Sequence, residues 1–388
     1  MRVKALHLSI VPGYKKPIFA LAILTAMDAK MRKAVGIWLI IGVGMIMIQI
    51  VLGGITRLTE SGLSITRWEV ISGTLPPLNK AAWQEEFDAY KASPQYQKVN
   101  RGMSLEEFRQ IFFWEWFHRL WGRLLGFVFL IPFIYFLVKG YLNKSLIRKA
   151  GVAFLLGGTV GIFGWLMVAS GLQDRPMVSP YRLAGHLLLA ILTISYLYWV
   201  GLQLLLPKEM KLEPASRKSM LRAAYVLLAL LILQIFFGAL VSGMRAAPFY
   251  PSWPDMNGSY IPDVLLQAKN YSLQNLFHFD QNAFAPAFVQ FLHRNIAYLI
   301  LIFALYFFRK SKQIDKDKTD RLIMSIFICL LMLQVILGIL TLLSSIGHPP
   351  VVLGVIHQGV AILTLLSLLT LIYRLAPGSH YFQSSESP

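Results

Sequence analysis

The sequence predicts an all-α integral membrane protein with eight transmembrane helices, arranged as two repeated four-helix bundles with both termini cytoplasmic. Three observations lead there. Of 388 residues, 56% are hydrophobic and only 14% are charged, against roughly 25% charged in an average soluble domain. No water-soluble interior hides that much apolar side chain, so soluble, disordered and fibrous classes are excluded. Eight stretches reach the 20 or so mostly apolar residues that a helix needs to cross the hydrocarbon core, and the chain resembles itself at a long period.

The eight stretches are about 34–55, 116–138, 151–172, 182–206, 221–243, 287–308, 322–345 and 351–373. Continuous apolar runs of this length cannot be barrel strands, which alternate. Lysine and arginine set the orientation. The segments 1–33, 139–149, 207–222 and 309–321, with Arg374, carry 23 of them, and the opposite side carries 11. The termini therefore face the cytoplasm, and the long segments 56–114 and 244–286 face outward. This divides the chain into a cytoplasmic segment 1–33, a first half 34–206 containing the long outer loop 56–114, a second half 207–374 and a tail 375–388. Residues 17–27 form a short apolar run after Lys15 and Lys16, like the core of a signal segment. No small-x-small cleavage site follows, so the run reads as cytoplasmic or interfacial, with Met27 and Met31 as alternative starts.

The net charge is +18. The basic residues lie between the apolar segments, which favours anionic lipid headgroups over nucleic acid as partners. The sole cysteine, Cys329, excludes an intramolecular disulfide or a cysteine-cluster metal site. Its apolar surroundings mark it as a small core side chain.

Gln49-Ile-Val-Leu-Gly53-Gly54 near the end of span one matches Gln234-Ile-Phe-Phe-Gly238-Ala239 near the end of span five. Phe117-His118-Arg119 matches Leu292-His293-Arg294, and His186 is loosely matched by His357. The offsets, 185, 175 and 171, drift as they would if loop lengths differed between two copies.

These four histidines lie inside apolar spans, where ionisable residues are costly and point to function. All are on even-numbered spans, in the outer half of the membrane. Two neutral imidazoles facing each other across a bundle suit axial ligation of haem iron, which gives two haem sites. The plainer alternative is hydrogen bonding between helices. His7, His278, His348 and His380 lie near the termini or in loops and read as ordinary polar residues. Arg119 and Arg294 directly follow two of the intramembrane histidines. They are candidates for haem propionate contacts, the alternative being snorkelling to the interface. Glu115 lies three residues before His118 on the same helix face, whereas the second copy has Gln290 there. A carboxylate at one site and an amide at the other suggests divided labour: proton chemistry at the first, a permanent cofactor at the second. A helix-end acid favoured by the dipole is the alternative for Glu115.

The run Gly53-Gly54-Ile-Thr-Arg57-Leu-Thr59-Glu60-Ser61-Gly62-Leu63-Ser64, with Trp68 and Pro76-Pro77, resembles the first outer loop of haem A synthases, as does Glu115-x-x-His118-Arg119. Gly243, Trp253-Pro254, Met256-Asn257-Gly258 and Pro262 are similar to that family's later loop. The resemblance spans about 40 to 370. It implies an oxidoreductase of a bacterial inner membrane that converts the C8 methyl of haem O to the formyl of haem A. Glu115 would be the catalytic carboxylate. His118 and His186 would flank substrate haem O, and His293 and His357 would ligate a resident haem b. Haem O synthase and cytochrome oxidase assembly factors are implied partners. Some members carry cysteine pairs in the outer loops; this chain has none there and resembles the cysteine-free branch with a long first loop. A quinol-linked di-haem b electron-transfer protein is the main rival, and a repeat-built transporter the next.

Overall fold

The computed structural model describes residues 16–67, 72–171, 176–206, 213–312 and 318–377, with side chains except at 16–28, 72, 170 and 171. Trp68 of the loop motif, the side chains of the 17–27 run and the tail beyond 377 lie outside the described residues. Among these residues the fold is helical, with one isolated bridge, Met256 to Ser259, and no strand.

Eight helices are long and apolar enough to span a membrane. They are α1 (Lys16–Leu58), α2 (Leu105–Val138), α3 (Lys144–Gly171), α4 (Pro180–Leu205), α5 (Pro214–Gly243), α6 (Phe284–Lys312), α7 (Lys318–Leu343) and α8 (Val351–Leu375). Local chemistry sets their ends. Ser104 and Glu107 form a reciprocal capping box that starts α2 well outside the apolar run. Gly140, at φ 72°, stops α2, with the Tyr141 amide returning to the Phe136 carbonyl. Pro180 and Pro214 sit in the first turns of α4 and α5, where a missing amide hydrogen costs nothing.

In each set of four, the second helix packs on the first, the first on the fourth, and the third on the fourth. The scheme is the same after a shift of four helices. Across the halves α1 meets α8, α4 meets α5, and α4 meets α8. One apolar core joins α1, α4 and α8 with parts of α2 and α3; a second joins α5, α6, α7 and α8. Helices α2 and α3 lie outermost, with Phe127, Ile131, Leu155 and Ile162 exposed, as lipid-facing side chains would be. Cys329 is also exposed on α7 rather than buried in the core, so the apolar run around it marks a lipid-facing surface.

At the ends of α1 and α5 marked by Leu58 and Gly243, the two sets of four helices are tied together. Arg57 Nη2 donates to the carbonyls of Ser242 and Gly243, at 2.8 and 3.1 Å. Glu60 and Arg245 both adopt left-handed backbone just past their helices and pair at 2.5 Å. The first outer segment is a small folded unit rather than an open loop. Helices Lys80–Lys91 and Pro94–Lys98 bring Phe87 and Tyr90 onto Phe108 and Phe112 of α2. Burial pushes the Tyr90 phenol up to about 12. It therefore stays protonated and donates to Gln95 Oε1, whose amide in turn donates to the Glu60 carbonyl.

Candidate functional site: two histidine pairs and one carboxylate

Each intramembrane histidine faces a glycine on the helix before it. A Cβ at Gly53 would meet His118 Nε2 at 3.3 Å, and Cβ atoms at Gly164, Gly238 and Gly338 would meet the Cε1 atoms of His186, His293 and His357 at 3.0, 3.1 and 3.0 Å. Three of the rings also receive a glutamine from four residues before that glycine. Gln49 Nε2 lies 2.9 Å from His118 Nε2, Gln234 Nε2 lies 3.2 Å from His293 Nε2, and Gln334 Nε2 lies 3.2 Å from His357 Nε2. The position matching these glutamines opposite His186 is Val160. His118 lies within electrostatic range of His186, and His293 of His357.

This environment fixes ring chemistry. His293 Nδ1 donates to the Gln234 carbonyl at 3.1 Å, which leaves the Nε2 lone pair facing the glutamine amide. The ring is then a neutral imidazole with Nε2 as its lone-pair nitrogen. The Oε1 atoms of Gln49, Gln234 and Gln334 are buried without hydrogen-bond partners. Unpaired buried polar atoms are uncommon, and these three lie beside three of the four histidines. Two neutral imidazoles are a donor set that would suit a six-coordinate haem.

Glu115 sits about three turns inside α2, because that helix begins at Leu105. It is therefore not a helix-end acid. It is buried, and donors surround it. Ser64 Oγ donates to Oε2 at 2.8 Å, the Ile65 amide donates to the same oxygen at 2.9 Å, and Arg119 Nη2 reaches Oε1 at 2.6 Å. The loop after α1 thus supplies the groups that a carboxylate, which only accepts, requires.

Gln290 is equally buried, but the loop after α5 presents acceptors to it. Its Nε2 donates to the carbonyls of Ala247 and Tyr250 at 3.4 and 3.1 Å. The asymmetry legible at 115 and 290 therefore extends into both loops, which are built for opposite polarity.

Arg119 also donates to the carbonyls of Ile65 and Arg67, which ties the loop to α2. Arg294 donates to the carbonyls of Tyr250, Ser252 and Asp255, while its Nε is buried without a partner. Both arginines therefore organise outer loops above their histidines.

Against known proteins, the COX15-CtaA family model, described as cytochrome oxidase assembly protein, matches residues 36–369. The chain belongs to this family. Relatives agree over nearly the whole length. A protein of Flavobacterium johnsoniae named "Heme A synthase" is 39% identical over 350 residues, covering 89% of this chain and 99% of that protein. Proteins of the same name from Parvibaculum lavamentivorans and Azorhizobium caulinodans are 41% and 43% identical, covering 88% and 87% of this chain and 94% and 93% of theirs. The COX15-CtaA match takes in the four histidines, Glu115 and both outer loops. The element missed in the sequence is the Gln-x-x-x-Gly spacing on odd spans. Gln49/Gly53 and Gln234/Gly238 stood out as a repeat, but Gln334/Gly338 and Gly164 did not, because a single glycine in an apolar helix carries no signal of what packs on it.

Proposed function

We propose that this protein is a haem A synthase of a bacterial membrane, an oxidoreductase that converts the C8 methyl of haem O to the formyl group of haem A. Two successive hydroxylations give a geminal diol, which loses water. The observation that carries this reading is the donor-lined carboxylate Glu115, one helical turn from His118, set against an acceptor-lined amide at the same place beside His293. A permanent di-haem relay has no need of opposite polarity at its two centres.

In this reading His118 and His186 flank substrate haem O in the first half, 34–206. His293 and His357 hold haem b in the second, 207–374. When bound, haem b would supply one-electron chemistry, held by His293 and His357. Glu115 accepts a proton beside the substrate or stabilises positive charge developing at the oxidised carbon. Ser64, the Ile65 amide and Arg119 hold its carboxylate in one orientation. Arg119 and Arg294 would hold the propionates of the two haems, and the unpartnered Nε of Arg294 is a donor that could reach one. The two halves are copies in parallel orientation, with termini in the cytoplasm and basic cytoplasmic loops against anionic lipid. Haem O synthase and cytochrome oxidase assembly factors are the partners this role calls for.

The test is direct. Membranes containing the protein and a source of haem O are extracted and their haems separated by chromatography. Haem A should appear only when the protein is present. Its absence, with the protein folded and haem O supplied, would refute the proposal.

A further inference from the structure

The two histidine pairs are physically connected, and the connection is asymmetric. Gln358 directly follows His357 on α8 and points across the interface between the halves. Its Nε2 donates to the Ile50 carbonyl of α1 at 3.1 Å. Its Oε1 lies against Gly54, inside the space a Cβ would need. The amide therefore lies against the 50–54 turn of α1, and a Cβ at position 54 would displace it. That same turn carries the contacts to the other pair. Gln49 binds both His118 Nε2 and the His118 carbonyl, at 2.9 and 3.1 Å, and Gly53 faces the His118 ring. His357 thus reaches His118 through one peptide link, two hydrogen bonds and one turn of α1.

The equivalent place on the other side of the interface lacks this link. There, Leu187 follows His186, and Ala239 of α5 stands where α1 has Gly54. Leu187 packs into the apolar cluster that contains Ala239. One crossing is an apolar contact and the other a fitted amide, although an apolar pair would fill either. A side-chain amide at membrane depth is kept where it has a partner, and this one bonds the turn that holds His118.

We infer that Gln358 is a positioning residue that couples the two pairs, so that occupancy of the His118/His186 site alters the geometry of the His293/His357 site. The inference rests on the reading that each pair holds a haem. Coupling of this kind needs a discrete element that both sites bias, and the Gln358 amide seated in the 50–54 turn is that element.

The experiment uses the purified full-length protein carrying low-spin haem at the second pair. Its electron paramagnetic resonance g-values are recorded before and after loading haem O at the first pair. Wild type should show a displacement of those g-values. Gln358→Met keeps length and loses the hydrogen bond; it should retain the haem and lose the displacement. Gly54→Ala pushes on the amide from the other side and should do the same. The double variant Gly54→Ala with Gln358→Leu recreates the Ala239/Leu187 contact. It should recover thermal stability but not the displacement, which separates coupling from packing. A full displacement in Gln358→Met or in the double variant would overturn the inference. No displacement in wild type would overturn it too while leaving the haem assignment standing. No low-spin haem in wild type would refute the assignment itself.

Discussion

Ser64 Oγ donates a 2.8 Å hydrogen bond to Glu115 Oε2, joining the loop after α1 to the face of α2 that bears His118. The corresponding loop offers Gln290 only carbonyls. Exchange of the two residues should therefore be unequal in effect. Gln290→Glu would place a carboxylate against the Ala247 and Tyr250 carbonyls, with no donor to replace those lost. It should destabilise the outer end of α6 and weaken haem retention at the second pair, without creating a second oxidation site. Thermal melting and haem content of the purified variant check this, and a stable variant with a full haem complement would contradict it.

Ser64→Ala removes one of three donors to Glu115. A hydrogen bond to a charged group contributes roughly 1.5–3 kcal/mol. Haem A formation should fall about tenfold to a hundredfold by that measure, with folding intact because the Ile65 amide and Arg119 remain. Haem A per mole of protein is the readout, and unchanged output would show that Ser64 does not orient the carboxylate.

The glycine behind each ring makes a steric prediction. Gly338→Ala puts a methyl 3.0 Å from His357 Cε1, closer than almost all real contacts, so the ring must turn. The low-spin haem b spectrum should be altered or lost, as it should in His357→Ala. Neither Gly164→Ala nor His186→Ala should remove it, because those residues belong to the other pair. Loss of haem b from His186→Ala would show that the pairs are wrongly assigned.

Arg374 at the end of α8 and Asp320 at the start of α7 form a buried ion pair at 2.8 Å. Removing one partner leaves the other charge buried, which commonly costs about 3–5 kcal/mol. Asp320→Asn should lower thermal stability markedly, whereas replacing both residues with apolar ones of similar volume should restore much of it. A single variant as stable as wild type would show that the pair is hydrated in the membrane.

The eight spans were legible because run length is a local property of the sequence. Four ionisable side chains at matched positions in apolar spans stand out in the sequence as candidates, whereas their division into His118 with His186 and His293 with His357 comes from the family resemblance. Other features depend on contacts between distant segments. For Glu115, the helix-end alternative falls only once Ser104 is seen to start α2 more than two turns earlier. The folded outer unit around Tyr90 is hidden because its helices Lys80–Lys91 and Pro94–Lys98 are short and polar. Cys329 looks like core because an apolar run reads alike whether it faces protein or lipid. Gln358 gives no sign in the sequence that it crosses to Ile50, which lies 308 positions away.

The central claim is that Glu115 acts on a substrate haem while a second haem stays bound elsewhere. Glu115→Gln tests it most directly, since the shape is nearly kept and the charge and proton acceptor are lost. Haems extracted from the purified variant are separated by chromatography, and the low-spin spectrum is recorded beforehand. Haem b should remain at the wild-type level with an unchanged spectrum. Haem A should fall by about 10²–10⁴ in rate of formation, with haem O or its alcohol accumulating in its place. Near-normal haem A, or loss of haem b together with haem A, would contradict the account.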